Sequence, residues 1–205
     1  MNTSVSSLDD ALAAALAEHE AAGLRRACRI QQAACGPREH DADGNEFLAF
    51  ASNDYLGLAN APELIAAATG AARRWGVGAG ASHLVSGHTV AHEALEQALA
   101  TFTGFEAALG FSTGYLANLA VMPALLGRGD AIFADRLNHA SLIDGARLAR
   151  ADLLRYAHCD LSMLARQLEG SQARRKLIVS DAVFSMDGDI APLADLLMLA
   201  DRHDA

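Results

Sequence analysis

Lysine is nearly missing from this chain: Lys176 is the only one among 205 residues, and the remaining basic side chains are arginines and histidines. Cysteine is scarce as well. Cys28, Cys35 and Cys159 are odd in number and lack the CxxC spacing, which argues against a disulfide framework and against a zinc site. Positive charge is in deficit, with a formal net charge of −9 and no basic cluster larger than Arg174-Arg175-Lys176, so a nucleic-acid-binding face is not expected. No apolar run reaches the roughly 18 residues of a spanning helix, and the acidic N-terminus, with Asp9, Asp10 and Glu18, lacks the basic start of a secretory signal. No membrane partner is expected, and the compartment is read as cytoplasm.

What is present is apolar residue in quantity, 52% of the chain, in blocks that alternate between strand and helix character. The spacing predicts an amphipathic helix from Leu8 to Ile30 capped by Ser7, then a polar stretch from Gly36 to Asn45 that separates an N-terminal helical arm (residues 1–45) from the main body (residues 46–205). In the body, strands are predicted at Glu46–Ala51, Ala107–Phe111, Ala131–Ala134, Leu153–Ala157 and Leu177–Val179. Helices are predicted near Pro62–Trp75, Thr89–Phe102, Tyr115–Leu126, Ser141–Ala149, Leu161–Leu168 and Pro192–His203. Such βαβ spacing implies an α/β fold: a mostly parallel sheet with helices on both faces. Lys176 then stands at the amino end of a strand as a solvated charge, whereas ligands of open α/β sheets gather beyond the carboxyl ends.

Several segments invite a chemical reading. Gly76-Val77-Gly78-Ala79-Gly80-Ala81 has neither a preceding strand nor GxGxxG spacing, so a dinucleotide loop is not expected; a closely packed backbone segment, which could border a ligand, fits better. His88 and His92 have the i, i+4 spacing of metal ligands, but no HExxH follows and a plain helix-face pair is the simpler reading; no metal is expected. Ser112-Thr113-Gly114-Tyr115 opens a helix after a strand, where free N–H groups and the helix dipole can cradle a phosphate, though such a turn also serves as an ordinary N-cap. His139 follows the strand Ala131–Ala134 within a polar turn, at the end of the sheet where a ligand would sit, although surface placement is the default for an isolated histidine.

Asn53-Asp54-Tyr55-Leu56-Gly57-Leu58, Leu84-Val85-Ser86-Gly87, Ser112-Thr113-Gly114-Tyr115, Asn138-His139-Ala140-Ser141 and Phe184-Ser185-Met186-Asp187-Gly188-Asp189 together resemble, in order and spacing, the α-oxoamine synthases, pyridoxal-phosphate enzymes of fold type I. The resemblance implies that this chain holds part of the large domain of such an enzyme. Ser82-His83-Leu84-Val85-Ser86-Gly87 and Arg155-Tyr156-Ala157-His158-Cys159-Asp160 lean toward the branch that condenses L-alanine with a pimeloyl thioester, on CoA or a carrier protein, in biotin biosynthesis. The aminoketobutyrate- and aminolevulinate-forming branches, or a non-catalytic binding fragment, are the alternatives. By resemblance, Gly114 and Tyr115 hold the cofactor beside its phosphate, His139 stacks over its ring and meets substrate, Ser185 contacts the cofactor, and Arg25, placed in the N-terminal helix, binds a substrate carboxylate. The active enzyme is expected to be a homodimer. The aspartate that pairs with the ring nitrogen and the Schiff-base lysine are expected beyond Ala205, so residues 1–205 alone are expected to be inactive; Asp181, at the end of a strand, is not taken for that aspartate.

Overall fold

A computed structural model describes residues 7–28 and 30–205. Its contacts divide the chain into two compact units, residues 1–91 and 92–205.

In the first unit, helix α1 spans Leu8–Ala21 and is opened by a reciprocal capping box: Ser7 Oγ accepts from the Asp10 amide and the Asp10 carboxylate accepts from the Ser7 amide, each at 3.1 Å. The helix is shorter than the periodicity suggested. Gly23 takes a left-handed φ of 67°, and the Leu24 amide turns back to the His19 carbonyl at 2.8 Å, ending the helix well before Ile30. The polar stretch after it is not a simple break either. Strand β1 (Arg38–His40) pairs antiparallel with β2 (Glu46–Leu48), and Asp41 organises the turn by accepting from the amides of Asp43 and Asn45. A five-residue turn rich in Asp, Asn and Gly reads as a loop because the two strands are only three residues each. Helix α2 (Pro62–Trp75) has proline in its first turn and stops at Gly76, φ 78°, so the glycine-rich segment follows a helix, as the missing strand signal indicated. A single π-turn over His83–Gly87 closes the segment. At Gly87 an added Cβ would lie 1.8 Å from the Ala81 carbonyl oxygen, so no larger residue fits that close approach.

The second unit is a parallel three-stranded sheet with helices on both faces. After α3 (Val90–Thr103), helix α4 (Gly114–Leu125) precedes β3 (Ala131–Asp135), α5 (Ala140–Leu148), β4 (Asp152–Tyr156), α6 (Leu161–Gly170), β5 (Lys176–Val179) and α7 (Leu193–His203). The strand order is β4-β3-β5. The step from β3 to β4 and the step from β4 across to β5 run in opposite directions along the sheet. Right-handed crossovers then require the connecting helices to lie on opposite faces, and the two cores show this. Ile132, Ala134, Leu153 and Val179 pack with Met122 of α4 and Ala146 of α5, while Phe133, Tyr156 and Ile178 pack with Leu164 and Leu168 of α6 and Leu196 and Leu199 of α7. Alternate residues of β3 feed alternate cores, so the whole strand is buried.

One predicted strand is absent. Residues 107–111 form no ladder; Leu109 is exposed, and the Gly110 amide donates to the Glu96 carboxylate at 2.7 Å instead of to a neighbouring strand. Lys176 does open β5, yet it is not a solvated charge: it is half-buried and donates to the His203 carbonyl at 2.6 Å, where an ammonium complements the C-terminus of α7.

Two contacts fix the geometry on which the site depends. At Gly145 an added Cβ would meet the Asn118 carbonyl oxygen at 2.5 Å, so α5 lies directly on the backbone of α4. At the amino end of β3, fully buried Asp130 receives a two-pronged bond from Arg174 (3.0 and 3.1 Å) and the Gly127 amide at 2.9 Å, and these donors hold its carboxyl below the usual range. Replacing Gly145 with Ala is expected to cost about 1–3 kcal/mol by forcing the helices apart, measured by chemical denaturation. For Asp130→Asn, the sign follows from the lowered carboxyl pKa. The wild-type advantage is full above the ordinary carboxyl range and disappears as pH falls below about 4, so denaturation curves of the two proteins converge on acidification.

Candidate active site

The carboxyl ends of β3 and β5 are stitched together by polar side chains. Asn138 donates to the Val179 carbonyl at 2.8 Å and accepts from the Asp181 amide at 3.0 Å; Asp181 in turn accepts from the His139 amide at 2.7 Å. Asn138 is buried, so its amide group serves in place of a strand ladder just past the point where the ladder ends. His139 is thereby held at the start of α5, at the end of the sheet where its position after β3 suggested.

The orientation of the His139 ring is also determined. Its Nδ1 receives the Ser141 amide (3.2 Å) and lies 2.6 Å from the Ser141 hydroxyl, which accepts from the Asn118 side-chain amide at 2.9 Å. With Nδ1 acting as acceptor, the proton of the neutral ring resides on Nε2. The Tyr115 ring meets the imidazole edge-on, with centroids 6.4 Å apart, and its hydroxyl donates to Asp144 on α5, whose carboxylate pushes the phenol pKa up. Tyr115 thus joins the N-terminus of α4 to α5 next to His139.

Gly114 is the first residue of α4. Thr113 caps that helix by accepting from the Leu116 amide at 3.1 Å, and the Gly114 and Tyr115 amides, by position, have no intrahelical acceptor. Gly114 and Tyr115 are exposed, and a Cβ at Gly114 would meet no atom within 4 Å. A cavity of about 470 Å³ lies beside His139, lined also by Asn118, Asn138, Asp181, Phe184 and Ser185. Ser185 belongs to a tight loop closed by bonds from the Phe184 amide to the Asp189 carbonyl (2.9 Å) and from the Gly188 amide to the Phe184 carbonyl (2.8 Å).

Four of the five site residues picked out from the sequence therefore fall in the second unit: His139 and Ser185 line one cavity, Tyr115 packs against His139, and Gly114 immediately precedes Tyr115. Arg25 lies in the first unit and, contrary to expectation, after α1, not within it. It is exposed and paired with Glu20 at 2.6 Å. Sequence reasoning missed Asn118 and Asn138 as organising groups, because an asparagine on a helix or in a turn carries no periodic signal. It set Asp181 aside, and the structure gives that carboxylate the task of receiving the His139 amide.

A second cluster was not foreseen. Asp135, buried at the end of β3, accepts from the Leu137 and Cys159 amides, each at 2.8 Å, and meets His158 Nδ1 at 3.1 Å; His158 Nε2 lies 2.7 Å from Asp189. Asp135, His158 and Cys159 converge closely enough to suggest a cation site, but both imidazole nitrogens already face carboxylates. The cluster is a hydrogen-bonded network.

Residues 45–205 match the sequence family described as aminotransferase class I and II, and the chain belongs to that family. It is 63% identical over 201 residues to the 8-amino-7-oxononanoate synthase of Azoarcus sp. (strain BH72), an alignment covering 98% of this chain and 51% of that protein. Among solved structures it is similar to a serine palmitoyltransferase from S. paucimobilis described with bound PLP and myriocin, with TM-score 0.86, 31% identity and coverage of 95% of this chain and 49% of the other. It is also similar to the 8-amino-7-oxononanoate synthase of Francisella tularensis, with TM-score 0.63, 35% identity and coverage of 73% and 41%. The α/β architecture expected from the βαβ spacing is thus the fold type I architecture of these enzymes, and the chain spans about half the length of the curated relatives it matches.

The ring orientation is testable. In wild type, nitrogen chemical shifts of the neutral His139 ring are expected to show the proton on Nε2; Ser141→Ala removes the hydroxyl and should shift the balance toward the other tautomer, visible in the same spectra.

Proposed function

We propose that this chain supplies one part of a pyridoxal-phosphate site in an 8-amino-7-oxononanoate synthase, which condenses L-alanine with a pimeloyl thioester with loss of carbon dioxide. The observation that supports the reading is that the fixed His139 ring and the Ser185 loop line one cavity at the carboxyl end of a parallel sheet, with Tyr115 from the first turn of α4 edge-on to His139, in a chain so similar to the Azoarcus enzyme.

The residues fit the cofactor on chemical grounds. The amides of Gly114 and Tyr115, at the positive end of a helix, suit a phosphate; the imidazole face of His139 suits a flat heteroaromatic ring; and the Ser185 hydroxyl suits a ring substituent. When bound, pyridoxal phosphate supplies an electron sink for negative charge developing at the amino-acid Cα. The chain's own contributions are positional. His139, with Nδ1 committed to Ser141, would offer Nε2–H as a donor toward substrate, and its ring face would lie against the cofactor ring. Arg25 would bind a substrate carboxylate in exchange for Glu20. Residues 1–45 are read as an arm and 46–205 as part of the large domain, in a cytoplasmic homodimer that takes pimeloyl-CoA or a pimeloyl carrier protein.

Lys176 does not fit the role of Schiff-base lysine. It occupies the amino end of β5, about 10 Å of strand from the carboxyl end where Asp181 and His139 lie, and its ammonium is engaged by the His203 carbonyl. The lysine is proposed to come from outside residues 1–205. Borohydride reduction of the full-length protein with pyridoxal phosphate, followed by peptide mapping, is expected to leave Lys176 unlabelled; a stoichiometric adduct there would overturn this assignment.

Two kinetic outcomes test the rest. In the full-length protein His139→Ala is expected to lower kcat/KM on the order of 100-fold while the melting temperature stays within about 4 °C; equal losses in both would return His139 to a purely structural role. A donor and acyl panel should rank alanine above glycine and serine, and the pimeloyl thioester above acetyl, succinyl and palmitoyl thioesters. Preference for glycine with a short acyl-CoA would move the protein to another branch of the family.

A further inference from the structure

His158 sits between two carboxylates from different parts of the second unit. Nδ1 faces Asp135, which is 1% exposed at the end of β3, and Nε2 faces Asp189, which closes the loop carrying Ser185. Carboxylates accept hydrogen bonds, and a neutral imidazole has a single N–H to donate. Both contacts are satisfied together only by the imidazolium. The Phe184 ring, buried in the core beneath the same loop, meets the imidazole edge-on with centroids 4.4 Å apart, so loop and histidine are packed as well as charge-paired.

We propose that His158 is a positioning residue whose imidazolium clamps the 184–189 loop, and with it Ser185, against the carboxyl end of the sheet. The link runs from rigid to adjustable. Asp135 is anchored by two backbone amides and the buried strand β3, and His158 transmits that anchorage to Asp189. Asp189 Oδ1 is buried without a hydrogen-bond partner among the described residues, and the other oxygen of this half-exposed side chain meets His158 at 2.7 Å. The part of this inference that concerns the cofactor rests on the pyridoxal-phosphate reading above; the clamp itself does not.

The groups facing His158 fix the direction of its pH dependence. They are Asp135 from β3, Asp189 from the loop and the thiol of neighbouring Cys159. Tyr156 on β4 lies near Asp135 but stays neutral, its phenol pushed up to about 12 by burial and by that carboxylate. The two hydrogen-bonded carboxylates raise the imidazole pKa, Asp135 contributing more than Asp189 and desolvation opposing both. A raised folded-state pKa means that the clamp is intact below the ordinary histidine range, near 6.5, and is released as pH rises through the raised value.

The experiment is hydrogen exchange of residues 184–189 in the full-length protein across pH, corrected for intrinsic exchange, alongside pyridoxal phosphate affinity by fluorescence. In wild type, protection of the Phe184 and Gly188 amides is expected to step down as pH rises through the imidazole pKa. His158→Gln and Asp189→Asn should each lower protection roughly tenfold at low pH and abolish the step, with the double variant no worse than either alone. Asp189→Asn leaves buried Asp135 with its histidine and amide partners, so it keeps the test meaningful if His158→Gln unfolds. Unchanged protection in Asp189→Asn, or a pH step that survives in His158→Gln, would overturn the clamp. Lost protection with unaltered cofactor affinity would overturn its role in placing Ser185. Absence of cofactor binding in wild type, with the exchange pattern as expected, would instead sink the cofactor reading and leave the clamp standing.

Discussion

Strand β3 is buried on both faces, and this burial dictates where polar chemistry can occur in the second unit. None of its five side chains reaches solvent, so the ionised groups belonging to it are displaced to its two ends and must be satisfied there. Asp130 precedes it and Asp135 closes it, each buried and each surrounded by donors. The amino-end carboxylate is neutralised by an arginine leading into β5, which makes that end a structural anchor. The carboxyl-end carboxylate is neutralised by a histidine that also serves a loop, which makes that end responsive. The polarity that parallel strands impose on an α/β sheet thereby becomes a division between scaffold and site.

Much of this organisation was legible in the sequence where the physical signal is local. The alternating blocks located β3, β4 and β5 and the helices between them to within a residue or two, because continuous apolar runs leave a clear imprint. The strand expected at 107–111 failed for the opposite reason. An apolar run forms a strand only when another edge is available to pair with it, and here the Gly110 amide found a carboxylate instead. Helix α1 was overextended because Gly23, one residue inside an alanine- and arginine-rich stretch, outweighs the propensity of its neighbours once it adopts a positive φ.

The site was half legible. His139 could be located because it follows the recognisable strand β3, and Gly114 and Tyr115 because the Ser112-Thr113 turn reads as a helix cap; the site roles of all three, like that of Ser185, came from resemblance. The groups that orient them were not. Asn118, Asn138 and Asp181 act through bonds spanning 23 to 43 residues of sequence, and no local pattern announces a partner so distant. The same holds for His158, whose two carboxylates lie 23 residues before it and 31 after it.

The missing side chain at Gly145 has a mechanical consequence for the wall that carries His139. Because α5 rests on the peptide backbone of α4 at Asn118 with no space between them, and Tyr115 and Asp144 bond the same two helices next to His139, the pair must move as one block. Sliding either helix would bring backbone into backbone. The cavity therefore has one wall made of interlocked helices, whereas its other side, the 184–189 loop, is closed by its own backbone bonds and joined to the sheet through His158.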